Sequence, residues 1–207
     1  MKYLSILAFL TTLLCSIFAQ PHNPAEYAEW KNSLLPHTKS TMMIGPIEND
    51  YVAVQLNDEG FFGDYGSFNI GTSSTYIYPD ATLIFSYPGT PGTSHTVFKI
   101  DGSHYSPHSF FSGCTTLMTA DIPFNIYSLP GDSSYIEGGW IIDDITIYQK
   151  LQPVYIENAH GDITGTIYIK YTIINNGTSS HDVGVMLELD TKVGSNDYAP
   201  LATSYGY

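Results

Sequence analysis

Apolar and polar residues alternate along most of this chain with the two-residue period of a β-strand. The clearest case is TGTIYIKYTIINN (164–176), where Ile167, Ile169, Tyr171 and Ile173 share one face and Thr166, Tyr168, Lys170 and Thr172 the other. That is the pattern of a half-buried antiparallel strand. YVAVQLN (51–57) and HTVFKIDG (95–102) alternate in the same way. SFNIGT (67–72), TYIY (75–78) and TLIFSY (82–87) read as strands between Gly, Ser, Pro and Asp turns, and further strands are expected at 123–128, 138–149, 152–158, 164–175 and 182–190. Asn176-Gly177 is a turn dipeptide, so 164–176 and 181–190 are expected to form a hairpin with a loop of several residues. Helical pattern is confined to Ala25–Leu35, bounded by Pro21, Pro24 and Pro36.

Many short strands at steady spacing predict an all-β fold, an antiparallel β-sandwich, and their number also admits a large, supersandwich-like one. A strand so near Tyr207 would ordinarily be followed by others, so the sandwich is expected to be truncated at the C-terminus, as a fragment of a longer protein. The expected organisation is a signal peptide at 1–19, a lead-in or arm at 20–45 and one domain at 46–207. The leader reading rests on MKYLSILAFLTTLLCSIFAQ, with Lys2 at its start, an apolar run to Leu14, and Ala19 before a polar change of composition. The run is short for a membrane span, which needs roughly 20 residues, so no membrane insertion is expected after cleavage. Cys15 leaves with the leader; Cys114 then stands alone, excludes an intrachain disulfide and reads as a small apolar core residue rather than a nucleophile.

Charge narrows the partners. The formal net charge is −13, and losing Lys2 with the leader takes it to −14. Every cationic residue is lysine and none is arginine, which argues against nucleic acid as a partner. An acidic field suits solubility and the attraction of cations.

GGWIIDDITIYQKLQPVYIE and YIKYTIINNGTSSHDVGVMLELDTKVGSNDYAP together resemble a family of bacterial secreted β-sandwich proteins. The resemblance rests on Trp140, Gln149, Tyr171, Asn175, His181, Val183, Gly184, Asp190, Thr191, Gly194, Asn196, Asp197, Ala199 and Pro200. It covers roughly residues 50–200, and its most specific part is the DTxxGxNDxAP loop; Tyr198 stands where the family usually carries glycine. It implies a surface or secreted location in long proteins that carry immunoglobulin-like or sorting modules, and transfers no catalytic residue. A second, looser similarity is to the large sandwiches of sugar mutarotases and polysaccharide-processing enzymes, which place a histidine and a carboxylate on a concave sheet. No histidine follows His181 to fill that part.

Four groups of residues could carry chemistry or binding. Asp190, Asn196 and Asp197 surround Gly194 and could give oxygen ligands to calcium, although the same residues close a turn by capping and Asx hydrogen bonds without any ion, and the turn is the reading preferred. No cofactor is required by the sequence. His95, His104 and His108 fall in SHTVFKIDGSHYSPH without a metal-ligand spacing and read as exposed loop histidines. Of the paired carboxylates, Asp143-Asp144 are adjacent and would point to opposite faces of a strand; Asp58-Glu59 lie in a turn; Glu188 and Asp190 share a face about 7 Å apart and are the pair suited to glycoside chemistry. Tyr65, Tyr76, Tyr78, Tyr87, Tyr105 and Tyr135 lie near turns, where they could stack on sugar rings or simply pack.

The sequence leads to a secreted or cell-surface, non-enzymatic structural or binding module of a larger extracellular bacterial protein, with a polysaccharide or another surface protein as partner. The alternative is a carbohydrate-active enzyme using Glu188 or Asp190, or a carbohydrate-binding module.

Overall fold

A computed structural model describes residues 43–57, 66–91, 94–107, 116–130, 133–157 and 161–192. These residues form eleven strands and no helix: β1 (Met43–Glu48), β2 (Val52–Asn57), β3 (Phe68–Thr72), β4 (His95–Ile100), β5 (Ser103–Ser106), β6 (Thr116–Leu117), β7 (Ile122–Leu129), β8 (Ser133–Ile142), β9 (Ile145–Glu157), β10 (Ile163–Asn175) and β11 (Val183–Glu188). They make three sheets, ordered β1-β2-β3, β10-β9-β8-β7 and β11-β4-β5-β6. All pairings are antiparallel except β5 with β6, which is parallel. The all-β class expected from alternation is what the structure shows.

All three sheets contribute to one apolar core. Val54, Leu56 and Phe68 enter it from the first, Ile136, Trp140, Ile147 and Leu151 from the second, and Phe98 and Ile100 from the third. Trp140 sits at its centre, with the Phe98 ring centroid at 5.7 Å and that of Phe124 at 5.5 Å. Burying side chains of this size stabilises by about 1.5–3 kcal/mol each. One polar chain crosses the core. The Gln149 amide donates to the Gly66 carbonyl at 2.8 Å, the Tyr171 hydroxyl donates to Gln149 Oε1 at 3.0 Å, and Thr96 bonds Tyr171 in turn. Gly66 can serve only as glycine: its φ is +86°, and a Cβ there would lie 2.4 Å from the Trp140 ring.

Several expectations are corrected. The strand expected over 138–149 is interrupted. β8 ends at Ile142 and β9 begins at Ile145, so Asp143 and Asp144 form the turn of a hairpin, with Asp143 at φ +53°. β9 then continues through the expected break at 149–152. Pro153 is tolerated because it lies beyond the last β8 pair, Ile136–Leu151, where β9 is paired on one side only. The hairpin of 164–176 with 181–190 does not form. β10 pairs with β9 over its full length and β11 pairs with β4, so the Asn176–Asp182 connection crosses from one sheet to another. Finally, 75–78 and 82–87 are turns, held by the bridges Gly71–Thr82 and Ile84–Thr191, not strands. Strand β1 begins at Met43, inside the stretch expected to be a lead-in.

Candidate functional site

Glu188 and Asp190 sit at the end of β11. Residues 190–192 are fastened to 83–85: the Asp190 carbonyl accepts from the Phe85 N–H at 2.8 Å, the Lys192 N–H donates to the Leu83 carbonyl at 2.9 Å, and the Asp190 N–H donates to Ser94 Oγ at 2.8 Å. The backbone of Asp190 therefore closes a strand end. Asn196 and Asp197, the other two residues of the Asp190 loop read as a turn or a calcium site, lie outside the described residues, as do Asp58, Glu59, Tyr65, His108 and Cys114. Among the described residues no three His, Cys, Asp or Glu side chains converge as a metal site.

Register supplies what sequence order hid. Glu188 lies directly across the ladder from His95. His95 is not an exposed loop histidine: it is 1% exposed, inside β4. Glu188 and His95 thus share one face at one end of the β4–β11 pair, with Asp190 near enough for its charge to act on Glu188. Burial, with the negative charge of Asp190 adding to it, pushes the Glu188 carboxyl up to about 7. A carboxyl held near neutrality can give or take a proton.

A second cluster joins the β4–β5 turn, the β8–β9 turn and the connection before β11. His181 Nδ1 is 2.7 Å from Asp101 Oδ2, and Nε2 is 3.1 Å from Asp144 Oδ1. The Asp101 carboxylate also accepts from the Asp182 N–H at 2.9 Å. Asp144 lies against Gly177, where a Cβ would come within 1.7 Å of its Oδ2, so the turn dipeptide is needed for close approach. Hydrogen bonds to Asp101 and then Asp144 raise the His181 pKa, and those from Asp182 and His181 lower that of Asp101. Both ring nitrogens face carboxylates, so the imidazole is a pin between two sheets rather than a ligand or base.

A cleft of about 560 Å³ lies where the β1–β2 turn meets the ends of β8 and β9. Its lining includes Glu48, Asp50, Ser73, Thr75, Gln152 and Tyr155. Sequence reading missed it because four distant segments meet there. Glu48 is already committed: it accepts from Ser73 Oγ at 3.2 Å, Ser74 N at 2.9 Å and Ser74 Oγ at 2.7 Å. Burial alone would raise its pKa, but these three bonds outweigh it and the net shift is downward. The Tyr155 hydroxyl donates to Asp50 Oδ2 at 3.1 Å. Tyr51 meets Tyr155 edge-on with centroids 6.1 Å apart, and Tyr76 stands 6.1 Å from Tyr51 on a tilt. The cleft offers carboxylates, hydroxyls, an amide and aromatic edges, and no cation among the described lining residues.

The other tyrosines divide by environment. Tyr87 is buried, and burial followed by Asp80 and Glu48 pushes its phenol up to about 12. Tyr105 packs against the core. Tyr135 stacks on Tyr127 at 5.1 Å, with Lys150 Nζ 3.8 Å from its ring centre. Tyr78 is exposed.

No protein-family model matches the chain, and neither a curated protein nor a solved structure matches it.

Proposed function

We propose that this chain is a secreted or cell-surface binding module, of β-sandwich type, from a larger extracellular bacterial protein, and that it binds a neutral saccharide without transforming it. The cleft at Glu48, Asp50, Ser73, Thr75, Gln152 and Tyr155 carries this reading. Its volume lies within the range of small-molecule sites, and its lining is of the kind that hydrogen-bonds many hydroxyls in fixed directions. Two carboxylates, with no cation beside them among the described residues, disfavour uronic or sulfated sugars. Glu48, held in its charged form by three donors, serves as a fixed acceptor and not as an acid. The leader-like residues 1–19 and the resemblance to bacterial secreted sandwich proteins support the location.

The test is calorimetry of the full chain against neutral gluco-, manno- and xylo-oligosaccharides and a uronate oligomer. Binding of a neutral sugar, weakened at least tenfold by Gln152→Ala and by Thr75→Ala, is the expected result. No neutral sugar binding, or preference for the uronate, contradicts it.

A second reading has its own observation. His95 opposite Glu188, with the Glu188 carboxyl raised to about 7, supplies the histidine and carboxylate that a carbohydrate-active enzyme of the large sandwich type would use. Hydrolysis or anomer interconversion of an oligosaccharide that disappears in Glu188→Gln would establish that reading over simple binding.

A further inference from the structure

Strand β11 ends its sheet, and no strand among the described residues pairs with its outer side. Its sequence, VGVMLE, has no Pro and no Lys, and its register with β4 runs without a bulge. Val185, Met186 and Leu187 are 47%, 53% and 39% exposed, so both faces of the strand show apolar side chains. The hydrogen-bond phase is fixed by the Asp101 N–H donating to the Asp182 carbonyl at 3.0 Å. Even-numbered residues of β11 therefore turn their backbone groups toward β4, and Val183, Val185 and Leu187 turn theirs outward. The same three residues lie opposite Ile100, Phe98 and Thr96, on the core side of the sheet. An added strand would gain ladder hydrogen bonds and cover this flank of the core together.

The other face of β11 says what kind of strand. It carries Asp182, Gly184, Met186 and Glu188, with Asp190 just beyond. Lys99 faces Gly184, two register positions from Asp182 but four from Glu188. A second copy of the chain fits badly. An antiparallel pair centred on Val185 sets Asp182 against Glu188 twice, and one centred on Met186 sets Asp182 against Asp190 twice. Like charges directly opposite destabilise a ladder.

We infer that β11 is a docking edge for an extended strand of a partner polypeptide, apolar at alternate positions and carrying Lys or Arg on its other face. The partner's apolar residues lie beside Val183, Val185 and Leu187, and its cations lie opposite Asp182 and Glu188. This is strand addition, in which the backbone gives affinity and alternate side chains give specificity. It is independent of the saccharide cleft.

The probe is a synthetic peptide, Lys-Val-Thr-Val-Thr-Val-Lys, whose lysines have the spacing of Asp182 and Glu188, titrated into the isotope-labelled full chain. The expected result is slowed amide exchange at Val183, Val185 and Leu187, and affinity at least tenfold above that of the same peptide with Glu for Lys. Val185→Pro removes an outward N–H while leaving the β4 ladder bonds in place, and should abolish binding without loss of the β-sheet signal in circular dichroism. Should that variant fail to fold, Glu188→Lys tests the same point and should move the preference toward the Glu peptide. Equal binding of the two peptides, binding of neither, or peptide-free dimerisation that itself protects the same amides would each overturn the inference.

Discussion

Glu48 and Glu188 are both strand-end glutamates in an acidic protein, and their surroundings drive them in opposite directions. At Glu48, three donors from Ser73 and Ser74 outweigh the effect of burial, and the carboxylate is held charged below its ordinary value. At Glu188, burial and Asp190 act together and the carboxyl rises to about 7. Net charge explains neither. What decides is whether local donors replace the water that folding removes. The Glu48 region is completed by the chain itself and leaves a cleft with fixed acceptors. The β11 region is a sheet edge where burial and a neighbouring carboxylate keep the Glu188 carboxyl near neutrality.

The largest expected effect comes from removing the Glu188 charge. Its folded pKa is raised from 4.5 to about 7, so the related stability is fully present below 4.5 and is lost as pH rises through 7. Glu188→Gln should therefore stabilise the protein by about 3 kcal/mol at pH 9 and change it little near pH 4, as read by denaturant melts at the two pH values. A variant no more stable than wild type at pH 9 would show that the carboxyl finds a donor after all.

The opposite manipulation at Glu48 should be smaller. Ser73→Ala with Ser74→Ala removes the two hydroxyl donors and leaves the Ser74 N–H. It should cost about 1 kcal/mol at pH 7 and move the Glu48 midpoint up toward 4.5 in a carboxyl NMR titration. An unmoved midpoint would mean that the backbone donor alone holds the charge.

Smallest of the three is the His181 pin, whose Asp101 partner is 53% exposed. The raised histidine gives stability that is full below 6.5 and lost as pH rises through its folded value. The lowered Asp101 gives stability that is full above 3.8 and lost as pH falls through its own. The window is therefore 3.8–6.5. His181→Ala should lower the melting temperature by roughly 1–2 °C inside that window, and by less at pH 9. A drop that grows at pH 9 would contradict the pin.

Alternation made much of this fold legible. Ile167, Ile169, Tyr171 and Ile173 do face the core, and β2, β4 and β10 were readable to within a residue or two. Periodicity assigns a face, however, and says nothing of the neighbouring strand. Asn176-Gly177 therefore suggested a hairpin, where the structure uses Gly177 for close contact with Asp144 and sends the chain to another sheet. Asp143-Asp144 interrupted a run of apolar residues that reads as one strand, and no glycine or proline marked the turn. The pairing of His95 with Glu188 depends on residues 93 positions apart, beyond any local pattern. The cleft was hidden for the same reason, since Glu48, Ser73, Ser133 and Gln152 come together only through sheet assembly.

Binding at the cleft is tested most directly by backbone-amide NMR of the full chain while a neutral oligosaccharide is added. Shifts should concentrate at Asp50, Ser73, Thr75, Ser134, Gln152 and Tyr155, and leave Val183–Glu188 unmoved. Perturbation confined to β11, or none at saturating sugar, would contradict a saccharide site at the Glu48 cleft.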